Sequence, residues 1–285
     1  MNRIHLIAGL CLISACTAPE GNGSSEELTA DIENPTNRVV LSSDIVWEKL
    51  NPARGDKSPQ AGTVWGDRKG TVATGFLAKF VDGFSSPPHI HNVTYRAVVI
   101  KGLVHNDDSQ ASTMWMPPGS FWTQPIGEAH ITSARGTENI AYVEIDRGPY
   151  LVKPTEEAFD NGERPINVDA SNVVWLDHSR TSWVSAESGA ELSFLWDSKK
   201  EDGLKGVFVK LPVGFRGKMR SDGQVFHAIV IQGSVSYQLP QEAQEIMLDP
   251  TSYFGSEGQS LHTLESAENQ PVILYIRTNG QIKVE

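Results

Sequence analysis

The second half of this 285-residue chain repeats the first, and that repetition restricts the fold more than any single segment does. SSDIVWEKL (42–50) returns as ASNVVWLDH (170–178), and TVWGDRKG (63–70) returns as FLWDSKKE (194–201). TGFLAKFVDGF (74–84) reappears as KGVFVKLPVGF (205–215), and RAVVIKG (96–102) as HAIVIQG (227–233). The last two pairs share an offset of 131 residues, and the first departs from it by only three. A repeat this long describes two domains of one kind rather than a solenoid. The chain is long enough for each to bury its own core. The repeated unit is β: little helical patterning is present, and 25 glycines and 16 prolines favour a turn-rich all-β chain. The two copies join near KPTEEAFDNGERP (153–165).

Ahead of the repeats lies a processing signal. Arg3 supplies a short positive region, and Ile4 to Ala15 is an apolar run too short to span a membrane as a mature helix. It ends in Ile13-Ser14-Ala15-Cys16, which resembles a bacterial lipobox with Cys16 as the lipidated residue; an ordinary secretory signal ending near a cysteine is the alternative. Residues 1–16 are thus read as a lipoprotein signal peptide. Residues 17–37, polar and acidic, read as a flexible tether. Thr17 after the cysteine resembles the pattern of outer-membrane sorting, so the expected location is the cell envelope, periplasm-facing and anchored through lipid alone. Cys11 and Cys16 are the only cysteines, so the mature domains have no disulfide and any metal must be held by nitrogen and oxygen.

The stretch GFSSPPHIHNVTYRAVVIKG (83–102) carries the chemistry. It reads as a strand, so His89 and His91, two residues apart, leave the same face, which is the arrangement that lets one strand give two ligands to a metal. PPGSFWTQPIGEAH (117–130) supplies a third imidazole, His130, after a Pro-x-Gly turn. Gly83, His89, His91 and Gly102 follow the spacing Gly-x5-His-x-His, and Gly119, Pro125, Gly127 and His130 follow Gly-x5-Pro-x-Gly-x2-His. These are the two cupin motifs, and the chain resembles a cupin. With the duplication it resembles a bicupin, similar to bacterial proteins related to the cupin domain of ChrR-type anti-sigma factors. The resemblance implies two tandem antiparallel jelly-roll barrels, an N-terminal metal-binding barrel over 38–152, a linker over 153–167 and a C-terminal degenerate barrel over 168–285. It also implies one divalent transition metal (Fe, Zn, Mn or Ni) on His89, His91 and His130. Two positions depart from the family pattern: Tyr95 stands where metal-binding cupins usually have Glu, and Ala134 replaces a frequent Asn.

Several side chains compete for the remaining roles. Tyr95 shares parity with His89 and His91 and could coordinate or donate a hydrogen bond, or simply fill the core as Phe226 does in the second copy. Glu128, in the turn before His130, could replace the absent carboxylate or act as acid or base at the rim; a solvated turn residue is the alternative. His105 and Glu144 are further candidates, the latter as an oxygen donor if it faces inward. Trp115, Phe121 and Trp122 either line a substrate pocket or pack the core. The second copy acts as a control: the offset of 131 carries His89 to Arg220 and His91 to Asp222, with only His262 near the position of His130. Arg220 and Asp222 are expected to pair with each other or to contact His262.

A formal charge of −11 argues against nucleic acid and anionic membrane surfaces as partners. No nucleotide-binding or nucleophile-elbow pattern is present. The expected function is a metal-dependent enzyme acting on a small organic molecule by dioxygenase-, isomerase- or lyase-type chemistry; the alternative is a non-catalytic ligand-binding or sensing protein, and a homodimer is compatible with either.

Overall fold

The burial pattern of each strand reports what lies on its two faces. Ser260–Ser266 (SLHTLES) alternates strictly between buried and half-buried residues, as a strand with one wet face should. Tyr95–Asp107, Ile131–Ile145, Val225–Gln232 and Val272–Thr278 instead carry long runs buried on both faces. Such strands must be covered twice, and a computed structural model shows how. It describes residue 32 and residues 34–285, apart from 199, 241, 243 and 268. The expected signal peptide with Cys16, and the tether up to residue 31, lie outside the described residues.

Each half forms an antiparallel jelly-roll barrel, and the two pack sheet against sheet. In the first half the main sheet runs Ile166–Val168, Phe121–Gln124, Tyr95–Asp107, Ile131–Ile145, Thr74–Phe80, Gln60–Trp65, Glu48–Lys49. The corresponding sheet of the second half runs Arg38–Val40, Tyr253–Glu257, Val225–Gln232, Val272–Thr278, Lys205–Leu211, Glu191–Asp197. Parity then sorts the core. Phe76, Ala78, Ala97, Val99, Ala141 and Val143 point into the first barrel. Their neighbours Leu77, Val98, Ile100 and Tyr142 point out of it, against Phe208, Ile229, Ile231 and Tyr275 of the second half. Val207, Val209, Ala228, Val230, Leu274 and Ile276 turn the other way and fill the second barrel.

The opening strand of each repeat lies in the sheet of the other. Arg38–Val40 pairs with residues 253–255, and Ile166–Val168 pairs with residues 121–123. The sheets therefore do not follow sequence boundaries drawn at 38 and 168. The exchange is anchored by side chains as well: Thr36 Oγ1 donates to the Glu257 carbonyl at 2.7 Å, and Asn37 Nδ2 donates to the Tyr237 hydroxyl at 2.7 Å.

The contact between barrels is a diverged two-fold. Trp65 Nε1 donates to Tyr142 Oη at 2.9 Å, and its repeat counterpart Trp196 donates to Tyr275 Oη at 2.8 Å. Trp65 stacks on His227 at 4.0 Å, while Trp196 lies under the Arg96 guanidinium at 3.8 Å. Glu144 is inside this contact, with Oε1 accepting from Arg277 Nη1 at 3.2 Å and from the Tyr275 hydroxyl at 2.8 Å. This corrects the expectation that Glu144 might offer an oxygen to a metal: its parity matches Tyr142, so it faces the second barrel.

Candidate metal centre

The long strand expected over 83–102 is broken by a bend at 92–94, leaving Ile90–His91 and Tyr95–Asp107. His89 sits just before the first piece and trades backbone hydrogen bonds with His130, each N–H donating to the other's carbonyl at 3.0 Å. Cross-strand pairing thus places two imidazoles side by side, and the two-residue step along the strand adds His91. One ring nitrogen from each of the three histidines lies within 4.8 Å of the other two. Facial nitrogens at about 2.1 Å from a metal stand about 3 Å apart, so small side-chain adjustments close the site.

The other ring nitrogens fix which atom is available. Nδ1 of His89 lies 2.9 Å from the Pro87 carbonyl, Nδ1 of His91 3.1 Å from that of Leu151, and Nδ1 of His130 3.2 Å from that of Glu128. A carbonyl only accepts, so each Nδ1 carries the proton and each Nε2 keeps its lone pair for a ligand. Burial pushes all three titrations down, His130 to about 3. For His91 and His130 the neighbouring imidazoles lower them further. Neutral imidazoles with convergent lone pairs are what a divalent transition metal requires, and these residues fit it.

Two phenols complete the inner surface. Tyr95 Oη donates to Asn106 Oδ1 at 3.0 Å and lies 3.4 Å from His130 Nε2. Asn106 Nδ2 donates to Gln124 Oε1 at 2.9 Å, and Gln124 Nε2 donates to the Glu128 carbonyl, the same oxygen that holds His130. Tyr150 Oη donates to His91 Nε2 at 3.2 Å, with the rings stacked at 4.5 Å. Burial raises both phenols well above their ordinary range, so they act as hydrogen-bond donors rather than phenolates. Sequence reasoning missed Tyr150, which arrives from a segment with no motif. The one available signal was its absence from the second copy: the offset of 133 that takes Tyr142 to Tyr275 takes Tyr150 to Lys283.

Above the histidines opens a cavity of about 690 Å³, within the range of small-molecule sites. Tyr95, Trp122 and Tyr150 line it together with His89 and His91. Glu128 does not: its carboxyl lines a separate 350 Å³ surface pocket with Asp160 and Arg164, and it serves the histidines through its backbone. Phe121 packs between the barrels, and His105 is buried beside Met114 and Trp115, away from the cavity.

A family model described as a domain of unknown function, DUF4437, matches residues 38–285. The chain belongs to this family. No curated protein sequence matches it. Solved structures similar to this DUF4437 protein have the cupin fold in two copies. A putative dioxygenase from Nostoc punctiforme superposes with a TM-score of 0.63 at 13% identity, over 85% of this chain and 82% of its own. Salicylate 1,2-dioxygenase from Pseudoaminobacter salicylatoxidans gives 0.57 at 11%, over 88% and 86%. The 7S globulin of Momordica charantia gives 0.57 at 8%, over 86% and 85%. At these identities the likeness establishes the fold alone.

The second barrel of the DUF4437 chain holds no comparable centre among the described residues. Arg220 pairs with Glu285 at 2.8 Å, and Asp222 accepts from the Gln281 amide, so the expected Arg220–Asp222 or His262 contact does not form. Both residues lie where the strand Arg216–Ser221 meets the C-terminal strand Ile282–Val284, which offers nearer partners. His262 is buried, stacked on Phe226 at 4.3 Å and bonded to Tyr237 at 2.8 Å. Met219, Phe226, Phe254 and Leu264 fill the space around it.

Proposed function

We propose that this protein is a metal-dependent enzyme acting on a small organic molecule, with one divalent transition metal held by His89, His91 and His130. The observation that carries this reading is the convergence of three imidazoles, each with Nδ1 tied to a carbonyl, beneath a cavity of about 690 Å³. A metal bound there supplies Lewis acidity and coordination positions open to substrate. The protein contributes orientation: the three carbonyls set the imidazole planes, and the Asn106–Gln124 chain fixes Tyr95. Tyr95 and Tyr150 present neutral O–H donors where a substrate oxygen would lie. Phe76, Trp122 and Val143 exclude water from the cavity interior. Among the chemistries open to such a centre, a dioxygenase is favoured, because both the Nostoc protein and the salicylate enzyme share the fold. The roomy cavity favours catalysis over a purely structural metal. The lipobox-like run ending at Cys16 supports a lipid-anchored, periplasm-facing protein.

The test is metal content of the purified chain beside a His89→Ala, His130→Ala double variant. Near-stoichiometric metal in the parent and none in the variant supports the centre; a parent that stays empty after loading with Fe, Zn, Mn and Ni in turn ends the metal-enzyme reading. Iron directs the substrate screen to oxygen uptake, and zinc or nickel to lyase and isomerase assays.

A further inference from the structure

We propose that the cavity accepts an apolar, aromatic-sized carboxylate, and that Arg54 is the residue that binds its carboxylate group. The proposal rests on the functional reading above and names its substrate class.

The argument begins with the charge around the cavity. No Asp or Glu lines it, and Arg54 is the only lining residue with a formal charge. The histidines are neutral, so a bound divalent metal would leave its own charge uncancelled by the protein. A cationic substrate would meet two positive groups and no counter-charge. An anion would be paired at one or both.

Arg54 is also held in a useful place. It belongs to the short 3-10 segment Pro52–Lys57, which covers the cavity, and its guanidinium stands 5.2 Å over the ring of Phe84, itself a lining residue. Among the described residues it makes no ion pair, while the nearby Asp56 is taken by Lys49 at 3.0 Å. A guanidinium laid on an aromatic wall keeps its donors free for a second partner, and their planar fork matches a carboxylate. The wall itself selects the rest of the molecule. Phe76, Phe80, Trp122, Tyr150 and Val143 offer broad apolar surface, which favours an aromatic or bulky aliphatic body over a sugar or a polyol.

The experiment is calorimetric titration of the full chain, loaded with zinc so that no redox turnover intervenes, using cinnamate and its neutral isostere cinnamamide. The parent is expected to bind cinnamate at least about tenfold more tightly. In Arg54→Gln the two should bind equally, and Arg54→Lys should restore part of the preference. Arg54 is exposed, so these substitutions leave the fold intact, and zinc content is measured on the same samples. Equal affinity in the parent, including no binding of either compound, overturns the proposal. So does a preference that survives Arg54→Gln, which would assign the anion to the metal. If the parent fails to bind zinc, the functional reading falls separately, and the same pair titrated into the metal-free chain still decides the role of Arg54.

Discussion

Replacing Arg277 by Met should be among the most damaging single changes in this protein. Glu144 is fully buried and Arg277 only 3% exposed, so neither charge has water to fall back on. The Glu144 carboxylate keeps two phenol donors in the variant, Tyr275 at 2.8 Å and Tyr142 at 3.2 Å, but loses its only cation. Leaving one member of a buried pair costs about 3–5 kcal/mol, and the retained phenols place the expectation near the lower end. Arg277 also bonds Asp146 at 2.9 Å and lies 5.9 and 5.7 Å from the rings of Trp65 and Trp196. Those contacts return the total to about 4 kcal/mol. With about 3 kcal/mol per molar urea for a chain of this size, the unfolding midpoint should fall by more than about 1 M. Adding Glu144→Gln removes the stranded charge while keeping an acceptor for both phenols, and should recover at least half of the loss. Tryptophan fluorescence reads the transition directly, since Trp65 and Trp196 flank the pair. A loss below about 1 kcal/mol in the single variant, or a double variant as unstable as the single, would refute the reasoning.

Thr251 has φ of 84°, the value that Gly119 (86°) adopts at the matching turn of the first repeat, and a left-handed threonine costs about 1–2 kcal/mol. Thr251→Gly should therefore stabilise the chain by about 1 kcal/mol in urea unfolding; a destabilised variant would show that threonine packing outweighs the strain. Burial lowers His130, His227 and His262 to about 3, below the ordinary value of 6.5. Their contribution is fully present above pH 6.5 and is lost as pH falls toward 3, at about 1.4 kcal/mol per pH unit for each histidine. The metal-free protein should thus lose on the order of 4 kcal/mol per unit below pH 6; a urea midpoint unchanged down to pH 5 would contradict this. Tyr150→Phe removes the donor 3.2 Å from His91 Nε2 and should cost about 1 kcal/mol in the metal-free protein. With metal on that nitrogen the cost should shrink, so equal losses in thermal unfolding of both forms would count against Nε2 as the ligand atom.

The barrels and their three histidines were legible because they rest on local rules: period two along strands, fixed motif spacings and a repeat that exposes its own missing ligands. What escaped depends on which side of a sheet meets which neighbour. Parity correctly separates Glu144 from Ala141 and Val143, yet parity alone does not say which face borders the cavity and which borders the second barrel. Glu128 sits beside His130 in sequence, but the turn sends its carboxyl to another pocket and uses its carbonyl instead. Tyr150 meets His91 across 59 intervening positions, through a strand pairing of Ile90–His91 with Val152–Lys153 that only the folded chain reveals. Arg220 and Asp222 found partners at the C-terminal strand, which no pattern in their own segment marks.

The traded opening strands bear on how such a chain came to be and how it is made. A single repeat would have had its first strand directed outward and a vacant sheet edge, so two copies would have had to exchange strands to complete both. Gene fusion would then have joined a swapped pair already committed to one another, and with both halves in one polypeptide only one had to keep its histidines. During synthesis the same geometry sets an order. The edge beside Phe121–Gln124 is closed only when residues 166–168 have been made, and Arg38–Val40 waits unpaired until residues 253–255 emerge. The N-terminal end is therefore among the first parts of the folded region to be translated and among the last to find its place.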